Sequence, residues 1–263
     1  MQDLTVTIIQ SGLHWEDPEK NLDMFSEKID SIKNPTDLIV LPEMFTTGFS
    51  MNAEKLAESD NDRTLNWLKS KAAAKKADII GSVIIKDQNA YFNRLFWVKK
   101  NGEVLRYDKR HLFRMADEHK IYTPGKKRLV GQVNGWTVCP LVCYDLRFPV
   151  WARQKQASYD VILYVANWPE RRSSHWRLLL QARAVENQAY TIGVNRVGSD
   201  GLNIYYRGDS AIIDPLGNII KQEADKEFIH TETLSWEKLE NYRRKFPVWM
   251  DADKFSIDGE END

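Results

Sequence analysis

The sequence predicts an α/β fold in a single domain. Short apolar runs recur along the whole chain, and several are apolar at consecutive positions, as in strands that are covered on both faces. Segments with a helical period lie between some of these runs. No Ser/Gly-rich linker and no sharp change of composition divides the chain, so residues 1–263 are expected to form one domain.

Eight apolar runs are predicted to be the strands of one or two large sheets. In chain order they are LTVTIIQ (4–10), DLIVLP (37–42), DIIGSVII (78–85), RLFWV (94–98), WTVCPLVC (136–143), DVILYVAN (160–167), YTIGVNR (190–196) and DSAIID (209–214). After the last of them, DPLGN at 214–218 has Pro215 and Gly217 at positions that favour a turn between two strands.

Four helices are predicted between the strands. The first has Asp17 as N-cap and Pro18 as its first residue, and the other three span about 62–75, 149–156 and 174–187. From about Leu234, a short helix and the segment FPVWMDADKF are expected to form a C-terminal arm that packs on the body or on a partner subunit. The acidic end DGEEND is expected to be mobile.

Composition excludes several classes of function. With 37 basic and 38 acidic side chains, the net charge is −1, so we expect no nucleic-acid partner. The N-terminus lacks a basic region followed by an apolar one, and no apolar run approaches the length of a membrane span. A cytoplasmic protein without a membrane partner is therefore expected. Cys139 and Cys143, four residues apart in a predicted strand, are too far apart for a disulfide and are expected to be free thiols.

Three ionisable residues follow apolar runs. Glu43 comes directly after DLIVLP, Lys109 follows EVLRYD, and Cys143 ends WTVCPLVC. Because α/β sheets gather reactive side chains at the carboxyl ends of their strands, these positions indicate a site. A free thiol has a pKa near 8.5 and needs a base to become a nucleophile, and a partly desolvated carboxylate is a suitable base. From the residues alone, Cys143 is a nucleophile, a metal ligand or an ordinary buried thiol.

The motifs LPEMFTTGF, YDKRHLF and LVCYDLRFP, in that order, resemble those of the nitrilase superfamily of carbon–nitrogen hydrolases. The resemblance covers residues 4 to 250, nearly the entire chain. It implies a four-layer α-β-β-α sandwich, with two stacked sheets and helices on the outside.

The resemblance also implies roles for individual residues. Cys143 is the nucleophile, Glu43 the general base, and Lys109 the cation that lowers the pKa of the thiol and, with the backbone N–H after Cys143, stabilises the oxyanion. The family has a second glutamate in the loop after the lysine, and Glu118 in MADEHKIYTPG occupies that place, with Asp117 as the neighbouring alternative. Ammonia would leave a thioester, which water hydrolyses.

Within the superfamily, the chain looks most like the bacterial omega-amidases, which hydrolyse short dicarboxylic monoamides such as 2-oxoglutaramate and 2-oxosuccinamate. The segments ANWPERRSSHWRLLLQARAVENQAY (166–190) and FPVWMDAD (246–253) carry this likeness. The animal type of omega-amidase has small hydroxyl residues where this chain has WPERR.

A substrate of this class ends in a carboxylate, which arginine binds in a bidentate manner. The predicted substrate-binding residues are Tyr144, Arg147, Trp168 and Arg171, and Arg172 shares the strand-end position of Arg171. Arg147 is the leading candidate for the carboxylate. The alternative for Arg147 is a structural ion pair with Asp145 or with an acid of a neighbouring element.

Other functions and partners follow from the same residues. A nitrilase or an N-carbamoyl hydrolase would use the same three side chains, whereas a catalytically silent interaction module predicts a broken triad. A redox or metal role for Cys143 is the remaining alternative, and we predict no metal and no other cofactor, because an acid, an amine and a thiol need no Lewis acid. The family pairs its subunits through the helices beside the nucleophile, here 149–156 and 174–187, so a homodimer is expected.

Overall fold

The structure, a computed structural model, describes residues 1–154 and 157–258. Its strands are β1 (Leu4–Gln10), β2 (Leu38–Val40), β3 (Glu58–Ser59), β4 (Asp78–Asp87), β5 (Ala90–Val98), β6 (Val104–Asp108), β7 (Gly131–Val133), β8 (Trp136–Val142), β9 (Val161–Ala166), β10 (Tyr190–Asn195), β11 (Val197–Ser199), β12 (Tyr205–Ile213), β13 (Ile219–Ala224) and β14 (Phe228–Leu234). Its helices are α1 (Pro18–Asp30), α2 (Ala53–Leu56), α3 (Arg63–Lys75), α4 (Glu118–Ile121), α5 (Pro149–Ala152), α6 (Ser173–Asn187) and α7 (Trp236–Lys245).

These strands form two seven-stranded sheets. The first sheet has the order β14-β1-β2-β4-β5-β6, with β3 beside β4, and the second has the order β11-β12-β10-β9-β8-β7, with β13 beside β12. The central strands β2, β9 and β10 are buried at every position, as the unbroken apolar runs of β2 and β9 predict.

The strand directions decide which strand ends lie at the same edge of each sheet. In the first sheet, β2 is parallel to β4, and two antiparallel pairings, β4 with β5 and β5 with β6, give β6 the same direction. In the second sheet, β8, β9 and β10 are parallel. The carboxyl ends of β2 and β6 therefore lie at one edge of the first sheet, and those of β8 and β9 lie at one edge of the second.

Helices cover the outer face of each sheet, which gives the predicted four-layer sandwich. Helices α1 and α3 pack on the first sheet through apolar stripes that include Phe25, Ile29 and Leu68. On the second sheet, α6 buries Trp176 and Leu180 in the cluster that also fills the space between the sheets. Among the described residues, no helix is both long enough and apolar enough to cross a membrane.

Some predicted boundaries were wrong. The helix predicted for 149–156 ends at Ala152, because Arg153 is extended and the N–H of Gln154 donates to Asn187 Oδ1 over 3.0 Å instead of continuing the helix. The last two residues of that prediction, and 259–263 of the acidic end predicted to be mobile, lie outside the described residues. The turn predicted at 214–218 does connect two strands, β12 and β13.

The segment after Leu234 is tied to the body by hydrogen bonds. In α7, the Arg243 guanidinium donates to Asp160 Oδ1 over 2.7 Å and to the carbonyl of Tyr159 over 2.7 Å. Gln188 Nε2 donates to the carbonyl of Phe246 over 2.7 Å. These contacts hold the start of the predicted arm against the second sheet.

Candidate active site

Glu43 lies in a tight turn after β2. The next residue, Met44, has a φ of +42° in the left-handed region, and its N–H donates to Ser82 Oγ over 2.8 Å. The N–H of Phe45 donates to the carbonyl of the same serine over 3.1 Å. The turn is therefore fixed to β4, and it holds a fully buried Glu43 carboxylate at the end of the sheet.

Lys109 follows β6 and is held on both sides by backbone hydrogen bonds. Its N–H donates to the carbonyl of Asn93 in β5 over 3.0 Å, and its carbonyl accepts from Gly125 over 3.0 Å. A Cβ at position 125 would lie 2.1 Å from the carbonyl oxygen of Asp108, so only glycine allows the loop to approach this closely. The Lys109 side chain is 1% exposed.

Cys143 follows β8 and opens a 3₁₀ turn, Cys143–Arg147. Its φ is +45°, a left-handed conformation that costs energy in a non-glycine residue and is often found at functional sites. The N–H of Val142 donates to Asp145 Oδ2 over 3.0 Å and so anchors the start of the turn. Cys143 also lines a cavity of the protein.

The side chains of Glu43, Lys109 and Glu118 form a buried ion cluster. Lys109 Nζ lies 2.8 Å from Glu43 Oε1 and 3.0 Å from each oxygen of Glu118. Asn93 Nδ2 donates to Glu43 Oε1 over 2.8 Å and to Glu118 Oε1 over 3.4 Å. One ammonium is thus shared by two carboxylates, and one amide bridges them.

This cluster perturbs the charges of its members. Burial would lower the pKa of Lys109, but the carboxylates of Glu118 and Glu43 outweigh it and raise that pKa well above its ordinary value, so the amine is an ammonium. The pKa of Glu118 is raised from its ordinary value because burial, together with the charge of Glu43, opposes ionisation more strongly than Lys109 favours it.

The structure places Cys143 beside this cluster. Its Sγ lies 3.8 Å from the carbonyl oxygen of Asn167, whose own N–H donates to Glu43 Oε2 over 2.8 Å. Burial, then the charge of Glu43, raises the pKa of the Cys143 thiol well above its ordinary value, although Lys109 acts in the opposite direction. Lys109 thus lowers the pKa of the thiol as expected, but burial and Glu43 together outweigh it in the resting protein.

A cavity of about 680 Å³ opens above Cys143 and Lys109. All four predicted substrate-binding residues line it: Tyr144, Arg147, Trp168 and Arg171. The Trp168 ring is buried, and its Nε1 donates to the carbonyl of Arg172 over 2.8 Å, so it forms a fixed wall. Tyr144 packs edge-on against Phe113, with 5.0 Å between the ring centroids.

Arg147 is not paired with Asp145, which was the alternative from the sequence. Its guanidinium lies 5.3 Å from the centroid of the Trp168 ring and donates to His175 Nδ1 over 2.6 Å. Asp145 instead accepts from Tyr107 and from its neighbours in the turn. Within residues 1–154 and 157–258, the guanidinium of Arg147 forms no ion pair with a carboxylate.

Arg172 also lines this cavity. It is half-buried in the cavity wall, and its guanidinium lies 5.0 Å from the centroid of the Phe113 ring. Burial, and then the neighbouring charge of Arg171, lowers the pKa of Arg172, whereas the nearby Cys143 acts to raise it. Arg171 is exposed at the mouth of the same cavity.

Of the two neighbouring acids in the loop after Lys109, Glu118 is the one that contacts this lysine. Asp117 has a φ of +56° and points outward to pair with Lys120, whereas Glu118 is the first residue of α4 and is fully buried against Lys109. The N–H of Phe113 donates to Glu118 Oε2 over 2.5 Å, which fixes the carboxylate.

Two asparagines at this site were not anticipated. Asn93 bridges the two glutamates, and Asn167 donates through both its backbone N–H and its side chain, the latter to the carbonyl of Glu43 over 2.6 Å. Asn167 is the first residue after β9, so its strand-end position was a usable signal, whereas Asn93 lies inside β5. Among the described residues, no group of three or more His, Cys, Asp or Glu side chains has an arrangement that could hold a metal ion.

Comparison with known proteins shows which family this chain resembles. The family model for carbon-nitrogen hydrolase matches residues 5–244. Omega-amidase YafV of Escherichia coli K12 is 48% identical over 258 residues, which cover 98% of this chain and 100% of that protein. The 2-oxoglutaramate amidase of Bacillus subtilis 168 is 32% identical, with 95% of this chain and 98% of that protein covered.

A solved structure extends the agreement to the fold. The crystal structure of XC1258 from Xanthomonas campestris, a CN-hydrolase superfamily protein with an arsenic adduct in its active site, superposes with a TM-score of 0.96 at 40% identity. The match covers 98% of this chain and 100% of that one. This chain therefore belongs to the carbon–nitrogen hydrolase family, in the omega-amidase branch of the nitrilase superfamily, and it is an amidase.

Proposed function

We propose that this amidase releases ammonia from the terminal amide of short dicarboxylic monoamides, such as 2-oxoglutaramate and 2-oxosuccinamate, through a thioester on Cys143. The observation that carries the proposal is the buried Glu43–Lys109–Glu118 cluster beside a thiol, at the floor of a cavity whose walls carry three arginines. The cluster supplies a base and a cation at the thiol, and the arginines supply partners for a second, anionic end of the substrate.

Acylation begins with a neutral thiol, because the pKa of Cys143 is raised in the resting protein. As Sγ attacks the amide carbon, its proton passes to the Glu43 carboxylate. The C=O electron pair moves onto oxygen, where Lys109 Nζ and the N–H of Tyr144 stabilise the negative charge. Glu43 then gives the proton to the amide nitrogen, the C–N bond breaks, and ammonia leaves a thioester.

Deacylation reverses the proton path. Glu43 takes a proton from a water molecule as that water attacks the thioester carbon. The second tetrahedral intermediate is stabilised by the same donors, and the C–S bond breaks as the sulfur recovers the proton from Glu43. Glu118 does not exchange protons in either step but holds Lys109 in place through two contacts of 3.0 Å.

The substrate carboxylate is bound at the arginine side of the cavity. Arg147 lines the cavity with its guanidinium 5.3 Å from the centroid of the Trp168 ring, and its planar fork of donors suits a carboxylate. Arg171 adds positive charge at the mouth, and the rings of Tyr144 and Trp168 bound the space for a short carbon chain. The activities named for the similar proteins of Escherichia coli and Bacillus subtilis, omega-amidase and 2-oxoglutaramate amidase, support the same substrate class.

An ammonia-release assay tests this proposal. Purified enzyme would be given 2-oxoglutaramate, 2-oxosuccinamate, glutamine, propionamide, an N-carbamoyl amino acid and a simple aliphatic nitrile. We expect kcat/KM for the two oxo-acid amides to exceed that for propionamide by at least about 100-fold, because hydrogen bonds to a charged group contribute roughly 1.5–3 kcal/mol each. A higher kcat/KM for the nitrile or for the carbamoyl compound would replace the proposal with nitrilase or N-carbamoyl hydrolase activity.

We also propose that the chain works as one hydrolase domain with a C-terminal arm from about residue 234, and as a cytoplasmic homodimer. The apolar cluster shared by both sheets supports the single domain. Exposed apolar side chains on α5 and α6, among them Val150, Leu178 and Val185, support pairing through these helices. Sedimentation equilibrium tests the dimer.

Two free thiols are typical of a reducing compartment, which supports the proposed cytoplasmic location.

A further inference from the structure

Asp145 is fully buried two residues after the thiol, and its carboxylate accepts four hydrogen bonds. Oδ2 accepts from Tyr107 Oη over 2.7 Å and from the N–H of Val142 over 3.0 Å. Oδ1 accepts from the N–H of His111 over 2.9 Å and contacts His111 Nδ1 at 2.8 Å. Each of the two oxygens is thus bound by two donors.

The four donors come from opposite sides of the sandwich. Val142 is the last residue of β8 and directly precedes Cys143. Tyr107 lies in β6 of the first sheet, and His111 lies in the loop after it, so these two residues stand on either side of Lys109 in the chain. One carboxylate therefore connects the backbone that carries the thiol with the backbone that carries the ammonium.

The partners of Asp145 are themselves fixed. Tyr107 Oη accepts from Trp151 Nε1 over 3.0 Å, and the His111 ring stacks on Phe148 with 3.8 Å between centroids and 7° between planes. Trp151 and Phe148 belong to the segment that follows the 3₁₀ turn of the thiol. The partners of Asp145 are therefore fixed on both sides, which allows this carboxylate to hold the backbone at Cys143 and the backbone at Lys109 at a constant distance.

We propose that Asp145 is a positioning residue that sets the place of Lys109 relative to Cys143. Left-handed backbone at Cys143 is strained and must be held by its surroundings, and the hydrogen bond from Val142 to Asp145 lies directly before it. Loss of this carboxylate would let the turn relax and move the thiol relative to the oxyanion site. A misplacement of about 1 Å at a reacting centre costs on the order of 100-fold in rate.

An amide cannot replace this carboxylate. Both backbone donors, Val142 N–H and His111 N–H, can only donate, and they approach different oxygens of Asp145. In Asp145→Asn, one of them faces an NH₂ group whichever way the amide is turned. The side chain keeps its size, so the change removes one of these two backbone hydrogen bonds and leaves the packing intact.

The experiment compares variants at a temperature where circular dichroism shows each to be folded. It measures kcat and KM for the best amide substrate, and the rate at which iodoacetamide alkylates Cys143, which lines the cavity, whereas Cys139 is fully buried. For Asp145→Asn we expect kcat to fall by about 100-fold with KM within about threefold, and the alkylation rate to change by at least about fivefold.

Two further variants separate positioning from simple loss of stability. Tyr107→Phe and His111→Phe each remove one side-chain donor from Asp145 and are expected to lower kcat by about 3- to 30-fold. Tyr159→Phe is the matched control, because it too removes a buried tyrosine hydroxyl. The hydroxyl of Tyr159 donates to the carbonyl of Ala152 and not to Asp145. Its kcat should equal that of the parent even if its melting temperature falls.

The inference rests on the proposed roles of Lys109 and Cys143, and the two can fail separately. If Cys143→Ala keeps activity, the proposed chemistry is wrong. If Cys143→Ala is inactive while folded Asp145→Asn has parental kcat and alkylation rate, only the positioning role is wrong. If Asp145→Asn does not fold, parental kcat in both Tyr107→Phe and His111→Phe overturns the inference instead.

Discussion

The backbone N–H of Asn167 donates to Glu43 Oε2 over 2.8 Å, and this hydrogen bond joins the end of β9 in the second sheet to the end of β2 in the first. The other oxygen of Glu43 accepts from Asn93 and contacts Lys109, so both oxygens of this buried carboxylate are bound. The proposed base is therefore held at the junction of the two sheets, in a fixed orientation toward the thiol.

Glu43→Gln should abolish turnover while making the thiol easier to alkylate. An amide cannot accept the thiol proton, so we expect kcat to fall by at least about 1,000-fold. The charge of Glu43 is one of the causes that raise the pKa of Cys143, and its removal should shift the pH midpoint of iodoacetamide alkylation downward. Glu16→Gln, at a cavity acid bound to Ser50, is the control and should change neither quantity. Turnover within tenfold of the parent in Glu43→Gln would exclude Glu43 as the base.

Cys143→Ala should be inactive but folded. The substitution removes one sulfur from a residue that lies at the cavity edge of the main apolar cluster, so the melting temperature should stay within a few degrees of the parent. Cys139→Ala is the matched control, because burial raises the pKa of that thiol to about 12 and keeps it unreactive. Ammonia release and circular dichroism check both variants. Residual ammonia release above about 1% of the parent in Cys143→Ala would argue against a thioester.

Lys109→Met should destabilise the fold in a pH-dependent way. It leaves Glu43 and Glu118 buried without their cation, which costs roughly 3–5 kcal/mol in the free energy of unfolding at neutral pH. Without Lys109, the pKa of Glu118 in the folded state rises further above its ordinary value of 4.5. The folded variant therefore binds more protons than the unfolded one. Its loss in free energy of unfolding, relative to the parent, should be smallest below pH 4.5 and grow as the pH rises.

Urea unfolding of Lys109→Met and of the parent between pH 4 and pH 8 measures this difference. Lys120→Met is the control, because its partner Asp117 is equally exposed and the pair should contribute little. If the difference in free energy of unfolding between Lys109→Met and the parent is independent of pH, the loss does not come from carboxylates that are buried without their cation.

Arg147→Met should discriminate between anionic and neutral amides. If Arg147 binds the distal carboxylate, kcat/KM for 2-oxoglutaramate should fall by about 10- to 100-fold, while that for propionamide stays within about threefold. Arg147→Lys should recover only part of the loss, because an ammonium cannot form the bidentate contact. The same loss for both substrates would assign Arg147 to packing against Trp168 instead.

The fold class and the position of the site could be predicted because both depend on local signals. Unbroken apolar runs mark central strands such as β9, and the first polar residue after such a run lies at the carboxyl end of a sheet. Glu43 and Cys143 stand at the end of such runs and Lys109 stands at the end of the strand β6, and the structure brings the three together. The resemblance to the family supplied what the strand positions could not, namely the expected role of each residue and Glu118.

The residues that were missed depend on long-range pairing. Asn93 lies within β5 and looks like an ordinary polar residue of a strand, and only the pairing of β5 with β6 sets it between Glu43 and Glu118. Asp145 was considered as a partner of Arg147, but the side chain is turned inward because the 3₁₀ turn begins at Cys143. The sequence does not reveal where this turn begins, and therefore not which way Asp145 points. Nor does it reveal that Arg172 is half-buried in the cavity wall while Arg171 is exposed.

The pairing of β1 with β14 has a consequence for the biosynthesis of this enzyme. The strand Leu4–Gln10 lies between β2 and the strand Phe228–Leu234, which a ribosome adds long after Leu4–Gln10 and after Cys143. A nascent chain that has already produced the cysteine still lacks an outer edge of the sheet that carries the acid and the amine. The first sheet can therefore be completed only after translation has continued through Leu234, well beyond the cysteine codon.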